Sequence, residues 1–147
     1  MRQLALKVVL LVIALGITAC DTDPDLQTIR SNIREMSVSA ENHNEAGITR
    51  YISNSYRGVA GTRSGLSTLL QRHFKLNKNI NLIISDIEIM IAEDKQTAKV
   101  NLRVLMTGGD GNLPERGRLN AIKSTWEKQN GNWLVTGATW KPVLLQF

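Results

Sequence analysis

Cysteine and histidine are scarce in this chain of 147 residues, which contains one cysteine and two histidines. A single cysteine cannot form an internal disulfide. His43 and His73 are thirty residues apart and have no carboxylate at ligand spacing, so we predict that the protein holds no metal. The sequence also has neither a G-x-S-x-G elbow nor a glycine-rich phosphate loop, and we predict no cofactor.

Long apolar runs are missing as well. The longest one, residues 8–17, follows two basic residues and ends at two small residues just before Cys20. A membrane-spanning helix needs about 20 apolar residues, so this run is too short to be one. A positive start, a short apolar run and a small-residue end are typical of a secretory signal peptide, which we place at residues 1–19.

The residues at the predicted cleavage point, Ile17-Thr18-Ala19-Cys20, resemble the bacterial lipoprotein box, in which the cysteine becomes the lipidated first residue of the mature protein. The resemblance implies an acyl anchor in the lipid bilayer at Cys20, with the domain facing the periplasm. A signal-anchor and an ordinary cleavage site are the alternatives.

A very short tether, residues 20–22, would join this anchor to the domain. Only Asp21 and Thr22 separate Cys20 from Asp23, so the tether would be about 10 Å long and the domain would lie close to the bilayer. Asp21 favours retention at the inner membrane in some bacteria, and the outer membrane is the alternative.

Neither sign of charge is in strong excess once the signal peptide is removed. Residues 20–147 contain 16 basic and 13 acidic residues, a net charge of +3. The basic residues are scattered rather than clustered, so we predict no nucleic-acid partner. A mature chain of 128 residues without repeats or an internal linker is long enough for one domain, which we place at residues 23–147.

Helical periodicity fills the first half of the mature chain. Asp23 and Pro24 indicate a helix start. A second, short helix is predicted over residues 45–53, and a third begins at a cap formed by Thr62 or Ser64. The apolar stripe of the first helix is Leu26, Ile29, Ile33, Met36 and Ala40, and that of the third is Leu66, Leu69, Leu70, His73 and Phe74.

From residue 80 the apolar period changes to two, which predicts strands. Further strands are predicted at residues 98–106, 116–128 and 133–141, with a loop at 108–114 and a hairpin at Asn130-Gly131. The side chains predicted to share one face of the first strand are Ile83, Ser85, Ile87, Ile89 and Ile91. Helices followed by an antiparallel meander predict an α+β domain.

One succession of segments resembles a known superfamily. The sequence Tyr51-Ile52-Ser53-Asn54-Ser55-Tyr56 is followed by a loop, the third helix and strands that end in Glu127-Lys128-Gln129-Asn130-Gly131-Asn132-Trp133. Over about residues 25–142 this order resembles the nuclear-transport-factor-two-like, or cystatin-like cone, superfamily. The resemblance implies three helices packed on a strongly curved antiparallel sheet, which together enclose a cone-shaped pocket.

The same resemblance implies several functions. Members include ketosteroid isomerase-like and polyketide cyclase-like enzymes, secretion adaptors and many domains without a known activity, and homodimers through the outer face of the sheet are common. Enzymes of the superfamily place an aspartate or histidine inside the cone as a base. His73 is the best candidate for that role, because it lies on the apolar stripe of the third helix, and core packing is the alternative. Asp86 and Glu88 are predicted to face outward, so no inward acid–base pair is evident.

Aromatic residues are the other candidates for a site. Tyr56, Trp126 and Trp140 are predicted, with His73, to line a ligand-binding pocket, and core packing is the alternative for each of them. If the even-numbered face of the third strand points inward, Trp126 would share the pocket wall with Asn120 and Ser124.

These patterns leave two classes of function open. The first is a non-catalytic, membrane-anchored envelope lipoprotein that binds a small apolar ligand or another envelope protein. The alternative is a small isomerase, lyase or hydrolase that uses His73 as its base. A purely structural envelope component with a filled cone is a third hypothesis. An exposed apolar patch on the outer sheet face, at Met90 and Leu105, would favour the adaptor.

Overall fold

The computed structural model of the protein describes residues 23–109 and 116–143. The predicted signal peptide, Cys20, the tether and most of the predicted loop at 108–114 lie outside the described residues. The described residues form the helices α1 (Pro24–Glu41), α2 (Glu45–Thr49) and α3 (Arg63–Leu76) and the strands β1 (Asn79–Ile91), β2 (Thr97–Gly109), β3 (Arg116–Gln129) and β4 (Asn132–Pro142). The strands form one antiparallel sheet in the order β1-β2-β3-β4. The predicted α+β architecture is confirmed.

Helix α1 begins where the sequence predicts. The Asp23 carboxylate accepts a hydrogen bond from the Asp25 backbone N–H at 2.9 Å, and Pro24 occupies the first helical position. Ile29 and Ile33 are buried on the face that packs against the sheet. Within the described ranges, no helix is both long enough and apolar enough to cross a membrane.

Helix α2 is shorter than the predicted residues 45–53. It ends at Thr49 because the next residues pair with β4 instead of continuing the helix. The Val135 N–H donates to the Tyr51 carbonyl at 2.8 Å, and the Ser53 N–H donates to the Val135 carbonyl at 2.9 Å. A distant strand thus takes the backbone groups that a longer helix would have used.

The N-cap of helix α3 is Thr62, one of the two predicted cap residues. The Thr62 hydroxyl accepts a hydrogen bond from the Gly65 N–H at 3.2 Å. Leu66 packs against the core from this helix.

A β-bulge in β1 changes the predicted face of that strand. Ser85 pairs with Arg103 but Glu88 pairs with Asn101, so β1 advances by one residue more than β2 between these pairs. Asp86 has a φ of 52° at this point. The bulge reverses the alternation, so the prediction that Ile83 and Ser85 share a face with Ile87 is wrong.

The inward side chains of β1 are Leu82 and Ile84 before the bulge and Ile87, Ile89 and Ile91 after it. Ile83 is 61% exposed.

The buried core lies between the helices and one face of the sheet. Its largest fully buried members are Trp133 and Tyr56. Trp133 also ties α1 to the β3–β4 hairpin, because its Nε1–H donates to an Asp25 carboxylate oxygen at 2.9 Å and Lys128 Nζ lies 2.7 Å from the same oxygen. The first turn of α1 is therefore fixed to the far end of the sheet.

Candidate ligand-binding cavity

A cavity of about 260 Å³ lies inside the core, between the helices and the sheet. Leu66 and Leu70 of α3 line it from one side, and Ile122 and Trp126 of β3 line it from the other. The remaining lining side chains are aliphatic or methionine, apart from Ser37, Ser124, Tyr56 and Trp140. The wall is therefore almost wholly apolar.

Three of the four predicted pocket residues lie in this wall. Tyr56, Trp126 and Trp140 all line the cavity, although they come from three separate segments. His73 is not among the lining residues. It lies in the last turn of α3, where the neighbouring Phe74 packs against His43 with ring centroids 5.1 Å apart. That turn contacts the α1–α2 connection rather than the interior of the cone.

The even-numbered face of β3 points inward, which is the condition under which the sequence placed Trp126 in the pocket wall. Ile122, Ser124 and Trp126 line the cavity, whereas Asn120 does not. The Trp126 Nε1–H donates to the Ser124 hydroxyl at 2.9 Å, so the one polar hydrogen of this indole is satisfied inside the wall.

Tyr56 contributes a buried hydroxyl that has no hydrogen-bond partner among the described residues. The side chain is fully buried, and burial raises the pKa of the hydroxyl, which therefore stays protonated near neutral pH. An unsatisfied buried polar group costs about 1–3 kcal/mol.

Gly58 makes room for this hydroxyl, and sequence reasoning missed it. A Cβ at residue 58 would overlap the Tyr56 hydroxyl and would lie 2.6 Å from the Ala138 carbonyl oxygen. The Tyr-x-Gly spacing was visible in the sequence, but the close approach depends on β4, which lies eighty residues away. The lining residues Leu82 and Ile84 were missed because of the bulge in β1.

The cavity offers no acid–base pair. Among the described residues that line it, Tyr56 is the only titratable one. Nor does the described part of the chain contain a group of three or more histidine, cysteine or carboxylate side chains placed to hold a metal ion. The arrangement offers an apolar surface to a small apolar molecule.

Comparison with solved structures identifies the fold. The chain superposes on a proposed dehydratase of the NTF2-like family from Streptomyces avermitilis with a TM-score of 0.73 and 11% identity, covering 84% of this chain and 100% of that one. It also superposes on a protein of unknown function with a cystatin-like fold from Nostoc punctiforme, with a TM-score of 0.67 and 12% identity over 83% and 93% of the two chains.

A third similar structure is longer. Bd1075 from Bdellovibrio bacteriovorus gives a TM-score of 0.71 at 9% identity, and the match covers 82% of this chain but 41% of Bd1075. No protein-family model matches the sequence, and no curated protein matches it either. The protein has the NTF2-like, or cystatin-like, fold, which confirms the predicted architecture and is shared by proposed enzymes and by proteins of unknown function.

Proposed function

We propose that the protein binds a small apolar ligand in this cavity without converting it. The carrying observation is the almost wholly apolar wall of the cavity. A cavity of 150 Å³ lined by aliphatic and aromatic side chains can hold benzene, so about 260 Å³ suits a somewhat larger molecule. The best ligand is therefore a compact apolar molecule.

The proposal includes a place of action. The lipoprotein box at residues 17–20 supports acylation of Cys20 and a position at the periplasmic surface of a membrane. Labelled palmitate should enter the protein in growing cells, and Cys20→Ser should abolish the label. Globomycin, which blocks lipoprotein signal cleavage, should cause the precursor to accumulate. Unchanged processing in globomycin would contradict the anchor and leave the cavity proposal standing.

Native mass spectrometry tests the ligand. A soluble Cys20→Ser form without residues 1–19 should retain a small apolar molecule after purification, and denaturation should release it for identification. A matched pair of variants shows whether the molecule occupies the cavity. Ser37→Leu fills the cavity from α1, whereas Ser31→Leu adds the same atoms to the exposed face of the same helix. Equal ligand occupancy in both variants would place the molecule elsewhere.

Catalysis is the rival function. The structural similarity to a proposed dehydratase favours this alternative. However, neither His73 nor any described carboxylate lines the cavity. An isomerase, lyase or hydrolase of this fold would need such a base beside its substrate. If His73→Ala abolished a measured conversion of the co-purified ligand while leaving its binding intact, the non-catalytic proposal would be wrong.

A second candidate, docking of a protein on the sheet, rests on a different surface. Ile83, which is 61% exposed, pairs with Leu105 across β1 and β2, and Leu105 pairs with Leu119 of β3. Met90, 43% exposed, lies farther along β1. Ile83, Leu105 and Leu119 form an apolar stripe on the outer face of the sheet, suited to a homodimer or to another envelope protein, whereas Met90 pairs with Lys99 and stands apart from it. Sedimentation should show a dimer, and Ile83→Lys should dissociate it. If the protein is a monomer at all concentrations, the homodimer is ruled out and only another envelope protein remains as the partner.

A further inference from the structure

A polar groove of about 580 Å³ lies outside the apolar cavity, where the β3–β4 hairpin meets α1 and the segment that follows α2. We call it the arginine groove, and its principal polar side chains are those of Arg50, Arg63, Asn32, Asn54, Asn130 and Asn132. No acidic side chain of the described residues lines it. The groove thus combines two positive charges with several amides.

Arg63 is held rigidly at one wall. Its Nε–H and an Nη2–H donate to the Thr49 carbonyl oxygen at 3.3 and 3.0 Å, and an Nη1–H donates to the Asn54 side-chain oxygen at 3.2 Å. A guanidinium has five N–H donors, so two remain available to a ligand. Because the folded chain already fixes this side chain, little conformational entropy is lost when it binds.

Arg50 supplies a second, more accessible cation. Its side chain is 64% exposed, and its guanidinium carbon lies 4.9 Å from the centre of the Tyr51 ring. The nearest carboxylate, that of Glu35, is 4.0 Å away, half exposed, and already accepts a hydrogen bond from the Tyr51 hydroxyl. Such an exposed ion pair is weak, so a bound anion can replace it.

The side-chain amides of the groove indicate the class of ligand. The side-chain N–H of Asn32 donates to the Trp133 carbonyl at 3.3 Å, and that of Asn132 donates to the Asn130 carbonyl at 3.4 Å. Each side-chain oxygen keeps its capacity to accept. A bare anion offers only acceptors and would leave these oxygens unmatched, whereas a hydroxyl can donate to them and accept from the arginines.

From this arrangement we infer that the arginine groove binds an acidic sugar, a polyhydroxylated ligand that carries one carboxylate or phosphate. The arginines hold the anionic group, and the asparagines bind the hydroxyls. The inference does not depend on the apolar cavity, because the two sites share only Ile52 of their described lining residues.

Calorimetric titration of the full-length protein in detergent micelles tests the inference. The probes are D-glucuronate, D-glucose 6-phosphate, D-glucose and inorganic phosphate. At least one of the two acidic sugars should bind at least tenfold more tightly than both D-glucose and inorganic phosphate, and the better of the two identifies the anionic group. If inorganic phosphate bound as tightly as the better acidic sugar, the groove would be a simple anion site and the inference of a sugar ligand would be wrong. If D-glucose bound as tightly, the inferred role of the arginine charges would be wrong.

Three substitutions locate the binding. Arg50→Gln should weaken the acidic sugar about tenfold, the effect of losing one charge-assisted hydrogen bond of about 1.4 kcal/mol. Asn130→Asp, which keeps the side-chain shape, should weaken it by at least as much through charge repulsion. Arg72→Gln, an exposed residue of α3 outside the groove, should leave the affinity unchanged. Equal losses in all three variants, or no binding of any probe to the wild type, would overturn the inference.

Discussion

At the scale of single residues, Tyr56 combines a large buried ring with a polar atom that lacks a partner among the described residues. Its buried hydroxyl has no partner among the described residues, so the folded protein without ligand carries the cost of an unmade hydrogen bond. The ring of Tyr56 packs in the core, and its hydroxyl lies close to Gly58.

We predict that Tyr56→Phe stabilises the protein by about 1 kcal/mol, because it removes a buried group that lacks a hydrogen bond. Urea unfolding of the ligand-free protein measures the change. A loss of stability without ligand would show that the hydroxyl has a partner in solution.

Gly58 gives a second test at this scale. Gly58→Ala should destabilise the protein by about 1–3 kcal/mol, because the added methyl group overlaps the Tyr56 hydroxyl and a β4 carbonyl. Gly117→Ala is the matched control, since a Cβ there meets only a methyl group of Thr107 at 3.9 Å. Thermal unfolding of both variants should separate them, and equal melting temperatures would contradict the close approach at residue 58.

At the scale of elements, local chemistry explains what the sequence could predict. Asp23 and Pro24 start α1 with their own side chains, and Asn130-Gly131 turns the β3–β4 hairpin with φ angles of 51° and 79°. The end of α2 and the bulge at Asp86 depend instead on pairing with strands far along the chain. The aromatic wall of the cavity could be predicted because aromatic side chains are typical of pocket walls. The position of His73 outside the cavity could not, because it depends on how the last turn of α3 packs against the α1–α2 connection.

Asp25 joins α1 to the hairpin, and its charge makes that joint depend on pH. Hydrogen bonds from Lys128 and then from Trp133 lower the pKa of the Asp25 carboxyl, and the backbone N–H of Asp25 lowers that of Asp23. A carboxyl with a lowered folded-state pKa stabilises the fold above its unfolded pKa of about 3.9. That contribution disappears as the pH falls through the folded value.

We therefore predict that Asp25→Asn lowers the free energy of unfolding by about 1 kcal/mol at pH 7. The difference from the wild type should shrink as the pH falls below about 3.9, because the carboxyl is protonated first in the unfolded chain and only at lower pH in the folded protein. Urea titrations between pH 7 and pH 3 measure both quantities. Glu93→Gln is the control, because Glu93 is exposed and has no ion pair among the described residues, and a constant difference across the pH range would contradict the role of charge.

At the scale of the whole molecule, the cavity is an apolar space between the helices and the sheet that is partly open to solvent. Packing defects cost stability in proportion to the empty volume, so a protein that retains one of about 260 Å³ gives up stability for it. Binding of a ligand to the folded state would restore that stability.

Filling the cavity should raise the stability of the protein and reduce its binding of the ligand. Ser37→Leu is predicted to raise the free energy of unfolding by about 1–2 kcal/mol, because it buries added apolar atoms without displacing others. Ser31→Leu on the exposed side of α1 should change stability by less than about 0.5 kcal/mol. Calorimetric melting of ligand-free protein measures both, and destabilisation by Ser37→Leu would mean that the cavity is closed in solution.

The bulge in β1 also affects how the chain reaches its fold. Isoleucine stands on both sides of that edge strand, at residue 83 outside and at residue 84 inside. A nascent strand that paired one residue out of step would still bury isoleucine, so hydrophobicity alone discriminates weakly between the two alignments. The left-handed turn at Asp86 then becomes the feature that selects the native alignment, and deleting that one residue should send a larger share of refolding molecules into aggregates.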